Sequence, residues 1–520
     1  MTVQKKWSAM DGQRKALLLR CQKYAGFTLP TICTPDGYNE NLEELQTDYQ
    51  SVGAQGVNNL TNKLMLALFA PSRPFFRLDV PSDLLKKLMG QEGFDATQFQ
   101  SILSVAEQNC IRSLDQMKVR PKLYEAVKHL IITGNVLMVL GKNTDDSPIR
   151  AIGLKKYVVK RSQSGRVIDL IVREEVLFDE LAEKAQEQLR QKADRFREIK
   201  VDDEKGCPTV AHYTRVCWKD GSYIETQHVD EYDLDGTEFN GKYTDETLPY
   251  RVLTWELHDE NNYGTGLVEQ NAGDFAALSA LSEAELEAAI LASQFRWLVN
   301  PAGQTKPEDL EKSKNGAAVP GVQNDIIPLM TGTGQTLNQI DVTNSKYINR
   351  IGQVFLLGAS VIRNAERVTA EEVRLVANEL ETSLGGVYSR LAIDFQLPMA
   401  YWLVAMNGVK LQGTSITPTI ITGLDALSRN GDLDNLKLCI QDMAAVSGLP
   451  PQMQFVLKLD AIANAIFSGR GVDPTMYIKS PDQQATDLKN QQLMALQQQV
   501  ARPVASAVAG NMAAQSQGAQ

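Results

Sequence analysis

The sequence predicts an α+β protein, mainly α, on three observations. Apolar residues recur at helical spacing over 4–70 and 96–131. Short runs rich in Val, Ile, Tyr and Thr fill 134–257. Beyond Gly266, long segments without proline flank one stretch dense in glycine and proline. A chain of 520 residues with 43% hydrophobic and 22% charged residues has material for a large core, divided among about two to four structural units.

Taken in order, "KALLLRCQKY" and "VNNLTNKLMLALF" make 4–70 largely helical, and "APSRP" ends that run because proline cannot continue a helix. A second helical stretch over 96–131 is broken near Pro121. Runs such as "NVLMVLG", "KYVVKRS" and "HYTRVCW" then predict strands, with hairpin turns at 164–165 ("SG") and 219–221 ("KDG"). A charged helix over 179–198 interrupts them and reads as a solvated connector. Residues 266–295 predict an alanine-rich rod about 45 Å long, on which Glu283 and Glu287 share a face and repel mildly. The excursion 299–335 reads as a compact fold with short strands. A second helix spans 344–359, with Ile348, Ile351 and Phe355 on one stripe. Thr369 and Glu372 form a capping box at the start of a long helix that bends at Gly385-Gly386 and Pro398. Helices fill 424–468, and the Gln- and Ala-rich end reads as partly disordered.

Charge and chemistry narrow the function. With 53 Lys+Arg against 63 Asp+Glu, the net charge of -10 argues against wrapping nucleic acid over the outer surface, though not against letting it slide past. Six scattered cysteines without a CxxC predict reduced thiols in a cytosolic setting. The N-terminus lacks an apolar signal core, and "LMLALFA" is too short to span a bilayer, so no membrane partner is expected. Gly141-Lys142 fails the phosphate-loop pattern. Cys207, His212, Cys217 and His228 match no zinc module, and alternation along hairpins points them apart. Asp230, Glu231, Asp233 and Asp235 cluster in what reads as a solvated loop, not a nuclease metal site. The expectation is a protein that is not an enzyme and carries no cofactor and no metal.

One stretch stands apart. "SVIRNAERVTAEEV" (360–373) places Arg363, Asn364, Glu366 and Arg367 between an apolar run and a helix start. An acidic chain that holds a small basic loop between two long helices raises the question of what the loop meets.

Four stretches resemble the portal, or head-to-tail connector, proteins of short-tailed, podovirus-type bacteriophages. They are "DYQSVGAQGVNNLTNKLMLALF" (48–69), "LVNPAG" with "VPG" (298–303 and 319–321), "ERVTAEEVRLVANELETSLGGVYSRL" (366–391) and "PTIITGLDALSRNGDLDNL" (418–436). The resemblance implies a portal fold, assembled as a ring of about twelve subunits around a channel for double-stranded DNA. Residues 1–265 and 371–420 would form the wing, and 266–296 and 344–358 the stem. The clip would be 297–343, the tunnel loop or valve 359–370, the crown 421–481 and a flexible tail 482–520. Arg363 and Arg367, repeated about the axis, would grip phosphates, while Asn364 and Glu366 would pair with a neighbour and set the aperture. Glu283 and Glu287, facing the lumen, would keep DNA sliding. Implied partners are a terminase motor, tail adaptor and nozzle proteins, and scaffold, major capsid and internal core proteins. The implied location is the unique portal vertex of the virion, reached through the host cytoplasm during assembly. A non-viral oligomeric helical scaffold and a DNA-processing enzyme are the alternatives.

Overall fold

Proline and glycine place the first boundaries. A computed structural model describes residues 2–70, 74–81, 96–141, 148–197, 199, 207–293, 297–322, 324–328, 333–357, 379–380, 382–409, 416–420, 439–442, 462 and 466. The opening helices are Val3–Gln13, Lys15–Gly26 and Val52–Leu68. Between the last two the chain is irregular apart from a short 3-10 turn at Pro30–Ile32, so 4–70 is less helical than its apolar spacing suggests. Ala96–Gln116 and Arg120–Thr133 follow. The break expected near Pro121 falls at 117–119, and Pro121 itself sits in the first turn of the second helix, where its missing N–H costs nothing. That helix stops at Gly134, whose φ of +72 is left-handed. A Cβ there would also lie 2.4 Å from the Thr265 backbone, so both conformation and space demand glycine.

The strands form as expected. A three-stranded antiparallel sheet runs β10 (Tyr250–Thr254), β2 (Asn135–Leu140), β3 (Ile149–Ile152). A six-stranded sheet runs β4 (Tyr157–Arg161), β5 (Val167–Leu177), β6 (Thr209–Lys219), β7 (Ser222–Val229), β8 (Tyr232–Asp233), with β9 (Asn240–Tyr243) also on β7. Asp220 and Gly221, at φ 48 and 78, make the two-residue turn between β6 and β7. β1 (Phe76–Asp79) pairs with β13 (Thr417–Ile420) across more than three hundred residues of chain, in the register Phe76 to Ile420.

The main core gathers Leu60, Leu64 and Leu68 of one helix, Leu123, Val127 and Ile131 of another, Val136 and Leu137 of the three-stranded sheet, and Trp255 just after β10. A smaller core lies elsewhere: Phe178, Leu189, Phe196, Val210, Val229 and Phe239. It corrects the charged helix. Glu183–Lys192 and Asp194–Arg197 are no solvated connector; they bury Ala185, Leu189 and Phe196, and Phe178 stacks on Phe196 with ring centroids 5.4 Å apart. Asp230, Asp233 and Asp235 are engaged as well. Arg195 meets Asp230 at 2.8 Å, Lys192 meets Asp235 at 2.5 Å, and His228 Nδ1 lies 2.7 Å from Asp233.

Residues 1–423 and 424–520 are separate compact units. The second is described only at 439–442, 462 and 466, where the Cys439 thiol lies 3.8 Å from the Ile466 carbonyl. The expected helices over 424–468 and the tail otherwise lie outside the described residues. Among the described residues, no helix is long and apolar enough to cross a membrane.

Candidate functional site: the paired long helices

After Gly266 the chain makes a short helix, Leu267–Gln270, then a long one, Ala272–Ser293. The expected single rod is thus interrupted at Asn271 (φ -111, ψ 14), whose side chain donates back to the Leu267 carbonyl at 2.9 Å. The base of this element is tied to the sheet. Asn135 Nδ2 donates to the Gly264 carbonyl at 2.7 Å, and the Gly264 N–H returns a bond to Asn135 Oδ1 at 2.8 Å.

The second long helix, Thr333–Val354, begins well before the expected start near Asn344. It lies antiparallel to the first. Asp274 pairs with Arg350 at 3.0 Å near one end, and Glu285 accepts from Asn344 Nδ2 at 2.5 Å further along. Phe275 packs edge-on to Phe355 at 5.8 Å and stacks with Phe27 at 6.3 Å, which seats the pair on the main core. Of the expected stripe, Ile351 and Phe355 are buried, while Ile348 is partly exposed.

Glu283 and Glu287 both stand exposed on the first long helix. At about 100° per residue, Leu286 and Ile290 fall in the same exposed arc. These two are 51% and 50% exposed, so the face is not a uniformly acidic stripe but one where acids alternate with apolar side chains. Glu283 also has a companion the sequence did not suggest. The Tyr49 phenol donates to its carboxylate, and that hydrogen bond, followed by the Glu283 charge, raises the phenol pKa above its ordinary value. One residue earlier, Asp48 accepts from Ser279 Oγ at 2.5 Å. Residues 48–49 therefore strap the helix across a separation of 231 positions, which no local pattern reveals.

Between the two helices the excursion is folded, with β11 (Trp297–Val299) antiparallel to β12 (Ile326–Pro328) and a short helix, Pro307–Lys312, not expected from the sequence. Asp325 organises it. Its Oδ2 accepts from the Gln304 and Thr305 N–H groups at 2.9 and 3.0 Å and from the Thr305 hydroxyl at 3.0 Å. These bonds hold its carboxyl below the usual range. Leu298, Val322 and Ile327 are more than half exposed on this excursion.

Arg363, Asn364, Glu366 and Arg367, with the Thr369–Glu372 capping box, lie outside the described residues. Downstream of them the bend at Gly385 is present, and Gly386–Leu391, a π turn at Ala392–Gln396 and Leu397–Met406 continue the helix, with Pro398 in the first turn of the last piece. The histidines and cysteines weighed as metal ligands do not converge. His228 is engaged at both ring nitrogens, by Asp233 at 2.7 Å and Thr226 at 2.9 Å, and Cys217 pairs across the sheet with Ile224. Among the described residues, no group of three or more His, Cys, Asp or Glu is placed to hold a metal ion.

The paired helices thus offer a long surface on which acidic and apolar side chains alternate. The chain is 33% identical over 497 residues to the portal protein of Enterobacteria phage T3, covering 92% of this chain and 88% of that one. It is 32% identical over 526 residues to the portal protein of Escherichia phage T7, covering 98% and 93%. Among solved structures it is similar to a chain from the neck of an empty gene transfer agent particle, with TM-score 0.35 and 11% identity over 82% of this chain and 90% of that one, a likeness too loose to bear on the fold. Residues 1–477 match the family described as bacteriophage head to tail connecting protein, and the chain belongs to that family, the portal proteins of T7-like phages.

Proposed function

We infer that the chain assembles into a ring of about twelve copies at one vertex of a phage capsid, enclosing a channel through which double-stranded DNA is packaged and later ejected. The observation that carries this reading is family membership across residues 1–477. The two long helices add support. They carry exposed apolar side chains (Leu286, Ile290, Val342) that a lone copy leaves in water and a neighbouring copy would cover.

In this reading the two long helices form the stem, and Glu283 and Glu287 belong to the surface DNA slides past. Carboxylates repel phosphate, so the duplex meets no adhesive surface there. The excursion around Asp325 is the clip, which docks a terminase and afterwards tail adaptor and nozzle proteins through its exposed apolar residues. The wing is built from 1–265 and 371–420, and the crown from 421–481, next to scaffold, capsid and internal core proteins. The ring forms in the host cytoplasm and ends in the virion. Arg363 and Arg367 form a positive constriction, with Asn364 and Glu366 setting its width. The ring does not hydrolyse nucleotide; the motor supplies the energy.

Replacing Arg363 or Arg367 with Ala tests the constriction. Rings of unchanged mass that package or retain less DNA are expected. If both variants fail to assemble, the arginines serve the ring itself and not the passage of DNA.

A further inference from the structure

The pairing of β4 with β5 shifts register between Lys160 and Arg161. Such a bulge re-aims the side chain beside it. Arg161 Nε donates to the Asn262 carbonyl at 3.2 Å, Nη1 to that of Gly165 at 2.9 Å and Nη2 to that of Val252 at 3.2 Å. The residue before Val252 on β10 is a second arginine, Arg251. Its Nη2 donates to the Asp245 carbonyl and, at 3.2 Å, to that of Glu246. Its Nε is buried without a hydrogen-bond partner. Both arginines line one cavity of about 550 Å³, whose wall also includes Tyr223 and, from the π turn, Ile393 and Asp394.

Both side chains are partly buried, and desolvation pulls the pKa of each below the ordinary arginine value. A cation withdrawn from water is ordinarily met by a carboxylate. Among the described residues no carboxylate forms an ion pair with Arg161 or Arg251; their guanidinium groups meet main-chain carbonyls, which are dipoles and not charges. The acids that line the cavity, Asp245, Glu246 and Asp394, are exposed. Arg390 pairs with Asp394 at 3.3 Å and Arg166 lies 3.7 Å from Asp245. Positive charge is therefore left over inside the cavity. Donors are left over too: Arg161 commits three of its five N–H groups to carbonyls, and Arg251 two.

We propose that this cavity is an oxyanion site, which takes a phosphate group on Arg161 and Arg251. The planar N–H fork of a guanidinium matches the oxygens of a phosphate. The volume holds a phosphate and several waters. Two sources share this chemistry, free phosphate and the backbone of double-stranded DNA. The exposed acids at the rim disfavour the long polyanion, so free phosphate is the expected occupant. The site does not rest on the function proposed above.

The test is isothermal titration calorimetry on the full chain at fixed ionic strength, with inorganic phosphate in one arm and a short DNA duplex in the other. Wild type is compared with Arg251→Gln, Arg251→Lys and, as a control, Lys122→Gln, which lies at a different cavity. Saturable phosphate binding is expected in wild type, at least about tenfold weaker in Arg251→Gln and unchanged in Lys122→Gln. Arg251→Lys keeps the charge and loses the fork, so it should weaken binding less; it also carries the test if Arg251→Gln does not fold. Duplex binding should be the same in all four proteins. A duplex that phosphate displaces, and whose binding falls in Arg251→Gln, keeps the oxyanion site and assigns it to the DNA backbone. The proposal is overturned if no phosphate or duplex binding depends on Arg251, including the case where phosphate binds wild type and Arg251→Gln alike as an adventitious ion only.

Discussion

Gly56 lies on the Val52–Leu68 helix where a Cβ would come 2.9 Å from the Phe355 ring, and at Gly53 it would come 2.3 Å from the Phe27 carbonyl oxygen. A ring can shift; a backbone carbonyl on a packed segment cannot. Gly56→Ala should therefore cost about 1–3 kcal/mol and Gly53→Ala more, measured by urea unfolding. His129 gives a second prediction. Its ring is 6% exposed, and burial holds its pKa at about 4, below the ordinary 6.5. Between those values the unfolded chain binds a proton that the folded chain does not. Stability should thus be full above 6.5 and fall as the pH drops towards 4, by about 3 kcal/mol in all. A His129→Gln variant should lose that slope in pH-dependent melting. Neither feature was legible in the sequence. A glycine in an apolar helix reads as a weak point until its neighbour is known, and a lone histidine carries no sign of its burial.

At the scale of elements, legibility followed apolar periodicity. The strands, the hairpin at Asp220-Gly221 and the helix around Leu391 and Phe395 could be read because their side chains alternate or recur as their burial does. The Thr333–Val354 helix was read too short because its buried face includes Asn344, a polar residue whose Nδ2 donates to Glu285. The Glu183–Arg197 stretch was read as solvated because charge outnumbers its few buried anchors. Those anchors, and not its ion pairs, should decide its stability. Phe196→Ala should cost roughly 3–5 kcal/mol, while Lys184→Ala, which breaks an exposed pair with Glu238, should cost under about 1 kcal/mol by thermal melting. The excursion has its own test. The Asp325 carboxyl is held below 3.8 by the bonds it accepts, so its contribution is present above that value and is lost as the pH falls through the lower folded pKa. Amide exchange at Gln304 and Thr305 should quicken in that acid range, and Asp325→Asn should quicken it at neutral pH.

At the scale of the whole molecule, one copy leaves apolar side chains uncovered. The long helices and the excursion expose Leu286, Ile290, Leu298, Val322 and Ile327, side chains that a neighbouring copy would cover in the proposed ring. Twelve copies at a net charge of -10 each would carry on the order of -120 charges, which suits a conduit that does not trap DNA on its outside. The acids on the first helix were legible in the sequence, but the strap of Asp48 and Tyr49 was not, because it joins positions 231 apart. The loop arginines were singled out by their charge in an acidic chain and remain a proposal. The most direct measurement is electron microscopy of the purified protein with mass by light scattering. The account predicts rings with a central hole and a mass near twelve copies of a 57.5 kDa chain. A monomer or dimer that stays so after scaffold protein is added would contradict it.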